Sequence, residues 1–403
     1  MNKNGIRLNL ILCAMMHGFN HYLMIFFKPM YPMMADYFGL SMVGDITTRL
    51  VVAYLGYGLS NFLTGILARK YSLKMLLFFG MLLMSTATVV FAFIPADMYF
   101  LAVICVFFIG LGGGTYHPAA NTLMTSLYET KPGYAIGILS IGSAIGFVAA
   151  PFIGDFVGNK WLGFQTLFLL SGTMVFVFNM VFFAFAKDAP VQTSAQKDAV
   201  EKAGPKPLPA KILVLVILLL CIPSMIRDLM SWGYFEITPF WVEYGFSSAI
   251  GIWIIQVMAY LPGPVVQPIS GWLCDKLGPM RVLIVTFLMC TIGHMLLAVI
   301  SPVFAWFGLV LYGIGMSAST VASETYMASI VSQKNRTLVY GIVLSIALGV
   351  GGVLGGASGW LVDAFGKTNA VGYQIWFFGM GAMMALSAVL YPVIQRIRKN
   401  AAA

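Results

Sequence analysis

The sequence has 403 residues, of which 60% are hydrophobic and only 9% are charged, and its formal net charge is +9. A soluble domain of this length cannot bury so much apolar surface, so the chain must dissolve in lipid. Runs such as Leu101–Gly112 are apolar on every side, which excludes an outer-membrane barrel because barrel strands alternate apolar and polar residues. The composition predicts an all-α polytopic membrane protein, since a helix satisfies its own backbone hydrogen bonds in lipid.

Apolar stretches of roughly 20 residues, the length that crosses a bilayer core, recur along the whole chain. They predict twelve transmembrane helices, at 8–37, 46–70, 73–94, 98–127, 132–156, 164–186, 211–242, 249–273, 280–300, 303–331, 336–363 and 371–396. Between the sixth and the seventh, residues 187–210 are polar and typical of a flexible linker. We therefore expect an N-terminal six-helix bundle at 1–186, called the first half below, a cytoplasmic linker at 187–210, and a C-terminal six-helix bundle at 211–403, the second half.

Lys and Arg are distributed unevenly over the predicted loops. With the N-terminus in the cytoplasm, only Arg49, Lys160 and Lys367 face outward, Lys28 and Arg227 lie within helices, and the other basic residues face the cytoplasm. Basic residues favour cytoplasmic loops, so we expect a multi-pass protein of a bacterial-type inner membrane with both termini cytoplasmic. The start, MNKNGIRLNL, lacks a small-residue cleavage site, so we expect the first helix to be retained. The net charge thereby reflects topology, and nucleic acid is not an expected partner.

An internal repeat relates the two halves. FGLS at Phe38–Ser41 matches YGFS at Tyr244–Ser247, and GILARK at Gly65–Lys70 matches GWLCDK at Gly271–Lys276. Such repeats are typical of secondary transporters, which bind the substrate between the repeats near the middle of the bilayer.

The loop after the eighth predicted helix reads GWLCDKLGPMR, from Gly271 to Arg281. It resembles the signature loop of the major facilitator superfamily, G-x-L-x-D-R/K-x-G-R/K, in which an Asp, basic residues and a helix end hold a cytoplasmic gate. The resemblance implies that family's fold, two pseudo-symmetric six-helix bundles, and a gate that contains Asp275, Lys276 and Arg281. Asp275 is expected to accept a charge-assisted hydrogen bond or to meet a helix N-terminus.

The first-half copy of this loop departs from the pattern. It reads GILARKYSLK, with Arg69 where the Asp belongs and Ser72 in place of a Gly. Arg69 and Lys70 complete the predicted gate, but this side of it has no carboxylate.

A narrower resemblance lies in helix one, HGFNHYLMIFFKPMYPMMADYFGLS. It is similar to the H-x-x-N-D…P-x-x-P…F-G-L-S pattern of the fosmidomycin-resistance-like branch of that superfamily, with His21 in place of the branch's Asp. His117 and Pro118 stand where the branch carries a Gly-rich HP motif, and Arg227 matches an Arg in the seventh helix. This resemblance implies export.

Ionisable side chains inside a membrane span are costly unless paired or hydrated, so each is a functional candidate. Nearly all of them lie on helices 1, 4, 7 and 10, which line the cavity in the resembled fold; His294 lies elsewhere. The repeat places His21 opposite Arg227 and Asn121 opposite Glu324. The predicted substrate-binding residues are His17, Asn20, His21, Lys28, His117, Asn121, Arg227 and Glu324.

Arg227 indicates a small anionic substrate, because a guanidinium binds carboxylates and phosphonates through two hydrogen bonds. The alternative is a structural ion pair of Arg227 with Asp228 or Glu324. Glu324 is the first candidate for proton coupling, since burial favours its neutral form and a nearby Arg its charged form. Asp228 and Glu236 are rivals, although Asp228 is adjacent to Arg227 on the helix and is expected to point about 100° away.

We therefore expect a monomeric secondary transporter whose partners are protons, lipid and a small, anionic solute or drug, with export by antiport favoured. Proton-coupled uptake of a carboxylate-type nutrient or siderophore is the alternative. No cofactor or metal is expected: the five cysteines show no CxxC spacing, and HxxxH at His17 and His21 lacks the Glu of a metalloprotease helix. An enzyme is not expected for the same reason.

Overall fold

The computed structural model describes residues 3–40, 51–188, 208–245, 257–258, 260–299, 301–366 and 369–402. Within these ranges every regular element is a helix, as the composition predicted. Nine segments of the described part of the chain are long and apolar enough to cross a membrane. Large apolar side chains face outward, among them Phe100, Trp161 and Leu386, each more than 70% exposed. Such a surface suits lipid and would be costly in water.

The described part of the first half contains eight α-helices, a 3₁₀ turn at Lys28–Met30 and a π-helical segment at Gly154–Leu162. The α-helices are α1 (Lys3–Ile25), α2 (Tyr31–Tyr37), α3 (Val52–Leu67), α4 (Leu73–Phe91), α5 (Tyr99–Gly113), α6 (Tyr116–Leu127), α7 (Pro132–Ile153) and α8 (Gly163–Phe185).

The described part of the second half also contains eight α-helices, with a π-helical segment at Ser345–Val350. They are α9 (Ala210–Gly245), α10 (Gly263–Leu277), α11 (Pro279–Ala298), α12 (Pro302–Ile330), α13 (Gln333–Leu344), α14 (Gly351–Phe365), α15 (Ala370–Ala388) and α16 (Leu390–Ala402).

Several predicted spans are interrupted helices. The first predicted span, 8–37, is divided into α1, the 3₁₀ turn and α2, because Pro29 and Pro32 have no N–H to continue the helical ladder. The fourth is divided at Gly114 into α5 and α6. In the twelfth, Pro392 removes the bond to the carbonyl of Ala388, and α15 ends there. The predicted starts at 46 and 249, and residues 189–207 of the linker, lie outside the described residues.

Two seams join the halves, and they are equivalent under the internal repeat. At the seam between α7 and α10, a Cβ on Gly271 would collide with the carbonyl oxygen of Gly133. The other seam packs α13 and the π-helical segment that follows it, together called the α13 region, against α3 and α6. There a Cβ on Gly58 would lie 2.8 Å from the Cα of Gly349. Glycine is required at both because the two backbones touch.

Candidate functional site

A small cavity lies between the halves, where α1, α6 and α7 face α9, α12 and the α13 region. Its volume is about 40 Å³, room for about three water molecules. A drug-sized ligand needs about 300 Å³ or more, so the halves must separate to admit one. The cavity is lined by His21, His117, Ser143, Phe147, Arg227, Asp228, Ser231, Trp232, Tyr260, Met316, Thr320, Glu324, Leu344 and Leu348.

Arg227 and Asp228 form a buried ion pair on α9. Arg227 Nε and Nη2 donate to Asp228 Oδ1 over 3.1 and 3.0 Å. Asp228 was expected to point about 100° away from Arg227, and the long Arg side chain turns back to reach the adjacent carboxylate. Arg227 Nη1 is buried and has no hydrogen-bond partner among the described residues. The guanidinium therefore makes the ion pair with Asp228 and keeps one donor without a partner.

A second ion pair crosses from one half to the other. His117 Nδ1 on α6 lies 3.2 Å from a carboxylate oxygen of Glu324 on α12, and both side chains are almost fully buried. Tyr340 on α13 donates to the main-chain oxygen of Glu324 over 2.7 Å, which fixes this turn of α12. This pair therefore links α6 of the first half to α12 of the second half.

Two further histidines lie beside this pair. His17 and His21, one turn apart on α1, approach to 3.1 Å between their Nε2 atoms. The His21 ring stacks on Phe147, and the His17 ring lies edge-on to that of His117. The prediction that His17 and His21 share a face is confirmed, and both are close to His117.

Four predicted substrate residues do not line the cavity: His17, which lies behind His21 and His117, and Asn20, Lys28 and Asn121. Asn20 donates to the carbonyl of Gly113 over 2.7 Å and accepts from Tyr57, so its amide ties α1 to α5 and α3. Lys28 lies in the 3₁₀ turn and donates to Tyr54 Oη over 2.7 Å. Asn121 is buried one turn beyond His117. The repeat predicted that Asn121 faces Glu324, but His117 occupies that place. The side chain of Glu236 lies outside the described residues.

Aromatic cavity residues were missed by the sequence analysis. The rings of Phe147 and Tyr260, from opposite halves, stack 3.9 Å apart and nearly parallel. Trp232 packs against Tyr54 with ring centroids 4.6 Å apart. In a chain with 14% aromatic residues, no pattern distinguishes these rings from lipid-facing ones.

The predicted gate residue Asp275 lies at the α7–α10 seam, beside the contact between Gly271 and Gly133. Its carboxylate accepts from the backbone N–H of Gly133 over 3.0 Å and of Tyr134 over 2.9 Å, at the N-terminus of α7. Partial burial raises the pKa of Asp275, while the two N–H groups and nearby Lys131 act in the opposite direction. Asp275 thus supplies, from the second half, the cap that the first turn of α7 needs.

The other predicted gate residues do not join this contact. Lys276 lies 4.8 Å from the centre of the Trp272 ring, and Arg281, Arg69 and Lys70 are exposed at the surface. They lie at the expected end of the bundle, and among the described residues only Asp275 of the predicted gate is hydrogen-bonded to the opposite half.

At the equivalent seam a different set of residues makes the contact. Thr337 on α13 bonds to Thr122 on α6 through their hydroxyls over 3.0 Å, and Arg336 donates to the Thr125 hydroxyl over 3.1 Å. These residues were not predicted, because nothing in the sequence pairs positions so far apart. Both seams are closed in this structure.

The charges of the cavity are unbalanced. With neutral imidazoles, Arg227 is the one cation among the described lining residues, and it faces two carboxylates, Asp228 and Glu324. A proton on the His117–Glu324 pair brings the sum to zero. Protonation would therefore remove the net negative charge and with it the preference for cationic ligands.

Comparisons with known proteins agree with this architecture. A family model described as Major Facilitator Superfamily matches residues 10–262 and 225–402. The uncharacterized MFS-type transporter YfnC of Bacillus subtilis is 26% identical over 322 residues, which cover 76% of this chain and 74% of YfnC. The multi-drug resistance efflux pump PmrA of Streptococcus pneumoniae is 26% identical over 354 residues, covering 82% and 81%.

Two solved structures share the fold. The crystal structure of the human organic anion transporter MFSD10 superposes with a TM-score of 0.76 at 13% identity, covering 96% of this chain and 99% of that one. A bacterial homolog of the human lysosomal transporter Spinster, inward-facing and unoccupied, gives a TM-score of 0.63 at 15% identity and covers 99% of each chain. The chain is a multi-pass membrane transporter and not an enzyme, and it belongs to the major facilitator superfamily.

Proposed function

We propose that this protein is a proton-coupled exporter of small organic solutes that carry an anionic group. The observation that carries the proposal is the cavity between the halves, in which a buried Arg227 and a proton-sharing pair, His117 and Glu324, lie together. Alternating access would expose this cavity to each side in turn, as the seams on one end or the other open.

The cavity position of Arg227 supports the proposal that the solute carries an anionic group. The Nη1 atom of Arg227 has no partner among the described residues, and a buried guanidinium donor is strongest towards a charged acceptor. The aromatic wall of Phe147, Trp232 and Tyr260 would hold the apolar part of the solute.

The His117–Glu324 pair supports proton coupling. It spans the two halves, so a change in its protonation alters the attraction between them as well as the charge of the cavity. In a low-dielectric site such a charge change is worth more than in water, which couples proton binding to the state of the transporter.

The relatives support export, because PmrA is named a multi-drug resistance efflux pump, and MdtG of Klebsiella pneumoniae, 28% identical over 187 residues, is named a multidrug resistance protein. Membership of the fosmidomycin-resistance-like branch, an inner-membrane location and cytoplasmic termini are part of the same proposal. They rest on the motifs of helix one and on the distribution of Lys and Arg.

Uptake by proton symport is the second candidate, and the charge balance of the cavity favours it. An anion and a proton on the His117–Glu324 pair would bind together, because each offsets the charge of the other. Co-binding moves both in the same direction, whereas antiport requires that they compete.

The test is transport by the purified protein in proteoliposomes under an imposed pH gradient, with a panel of radiolabelled anionic, neutral and cationic solutes. Export by antiport predicts that an anionic solute moves against the direction of the protons, and symport predicts accumulation with them. In Arg227→Ala, transport of anionic solutes is expected to fall about 100-fold or more, the loss of one charge-assisted interaction of up to about 3 kcal/mol. The matched control is Arg396→Ala, which removes an exposed Arg outside the cavity.

Transport restricted to neutral or cationic solutes would disprove the anionic substrate. Transport of any solute at the same rate with and without the proton gradient would disprove the coupling.

A further inference from the structure

Three buried imidazoles of the first half meet beside the cavity. His17 and His21 on α1 and His117 on α6 each place a ring nitrogen within 4.8 Å of the other two. Each side chain is at most 6% exposed. The sequence showed only the HxxxH pair, because the third imidazole comes from another helix.

Hydrogen bonds orient the ring nitrogens of this cluster. The carbonyl of Leu139 can only accept, so His17 Nδ1, 2.9 Å away, carries the proton and His17 Nε2 keeps its lone pair. His117 Nδ1 lies 3.2 Å from a carboxylate oxygen of Glu324, but neither ring nitrogen of His117 has a hydrogen-bond partner among the described residues. Histidines that bind metals usually donate their other nitrogen to a carbonyl or a carboxylate, as His17 does to Leu139.

We propose that His17, His21 and His117 form a binding site for a divalent transition-metal ion of the zinc class. Three imidazoles suit zinc, cobalt, nickel and copper better than magnesium or calcium. Zn–N bonds of about 2.0–2.1 Å place the nitrogens of a tetrahedral site about 3.3 Å apart. The 3.1 Å between His17 Nε2 and His21 Nε2 already matches this spacing, and the widest separation in the cluster must shrink by about 1.5 Å.

The surroundings favour a cation. Glu324 and Asp228 outnumber Arg227 among the charged residues of the adjoining cavity. His21 and His117 belong to both the cluster and the cavity lining, so the ion would be reached through the cavity. Three protein ligands leave one coordination position for water or for a donor atom of a bound solute.

His294 on α11 is the internal comparison: it is also fully buried and both of its nitrogens lack hydrogen-bond partners, but it packs against Tyr312 and belongs to no group of metal-ligating side chains among the described residues. It is therefore the matched control.

The test is Co²⁺ binding to the purified full-length protein after removal of metals with a chelator. Tetrahedral Co²⁺ is recognised by its visible absorption, and we expect one ion per chain, displaced by Zn²⁺. Both His17→Ala and His117→Ala should weaken binding by about 100-fold or more, since losing even an outer partner of a ligand costs 10–100-fold. The variant His294→Ala should bind as the wild type does.

A second variant separates loss of a ligand from loss of folding. His117→Cys keeps a metal-binding atom, so we expect it to retain Co²⁺ and to add a sulfur-to-metal charge-transfer band. Absence of Co²⁺ binding in the wild type, unchanged binding in His17→Ala and His117→Ala, or equal loss in His294→Ala would overturn the proposal. No transported solute is used, so this result is independent of the proposed transport function.

Discussion

The first half brings imidazoles to the cavity, His21 and His117, whereas the second half brings every charged side chain found among the described lining residues. The seams differ in the same manner. The second half keeps the carboxylate of its loop, Asp275, which caps α7, while the first-half copy has Arg69, and hydroxyls of Thr337 and Thr122 hold that seam instead. The repeat therefore conserves helix packing without conserving chemistry. The first half supplies imidazoles and the second half supplies charged side chains, and the two sets meet in the His117–Glu324 pair.

Breaking the ion pair of the second half should have the largest effect. Arg227→Ala leaves Asp228 as an unpaired buried charge, so we expect it to destabilise the protein by about 3–5 kcal/mol. The double variant Arg227→Met/Asp228→Leu should recover most of this stability and still fail to bind anionic solutes. Thermal unfolding in detergent measures the first effect, and solute-induced stabilisation measures the second. Equal stability of the single variant and the wild type would contradict the importance of the pair.

Removing the carboxylate that meets the histidines should have the next largest effect. Glu324→Gln keeps the shape of the side chain and cannot ionise, so we expect transport driven by a pH gradient to fall about 100-fold or more, the contribution of a positioned proton-transfer group. Exchange of solute without a gradient should persist. Asp97→Asn, which changes an exposed loop residue, is the control; an equal fall in that variant would show that the effect is not specific.

The two loops can be compared directly through Asp275 and Arg69. Asp275→Ala removes the cap from α7, a loss of about 0.5–2 kcal/mol, and should open the α7–α10 seam more often. Cys274, buried beside it, is a natural reporter in a variant that keeps it as the sole cysteine. We expect maleimide to label Cys274 about 10-fold faster in Asp275→Ala. Arg69→Ala, at the equivalent exposed position, should leave the rate unchanged, and faster labelling in both variants would refute the asymmetry.

The smallest effect is expected at the hydroxyl contact of the other seam. Thr337→Val keeps the volume but removes the hydrogen bond to Thr122, worth about 0.5–1.5 kcal/mol. Thermal unfolding should show a small destabilisation, and Thr122→Val in the same protein should add little, because the bond is already lost. Fully additive effects of the two substitutions would show that the hydroxyls do not interact.

The resemblance of the loop Gly271–Arg281 to the family signature predicted a helix N-terminus for Asp275, but it could not say which N–H groups the carboxylate would meet. A carboxylate near a helix N-terminus is a general electrostatic pattern, so its environment could be predicted; which helix supplies the N–H groups could not. The prediction for Asn121 illustrates the limit. The repeat indicated the correct pair of helices, and a displacement of one turn decided that His117, not Asn121, meets Glu324.

By itself the sequence determined the helical membrane fold, because hydropathy and the cost of unpaired backbone groups in lipid leave no other solution. It also indicated that buried polar and ionisable residues share an interior site, because a charge in lipid is costly, but not which of them line the cavity: Arg227, Glu324, His21 and His117 do, whereas Asn20, Lys28 and Asn121 do not. Only the tertiary structure decided the Arg227–Asp228 pair, the aromatic wall and the meeting of His117 with His17 and His21. These depend on the rotation of each helix and on side-chain reach, which packing against distant segments sets and local sequence does not encode.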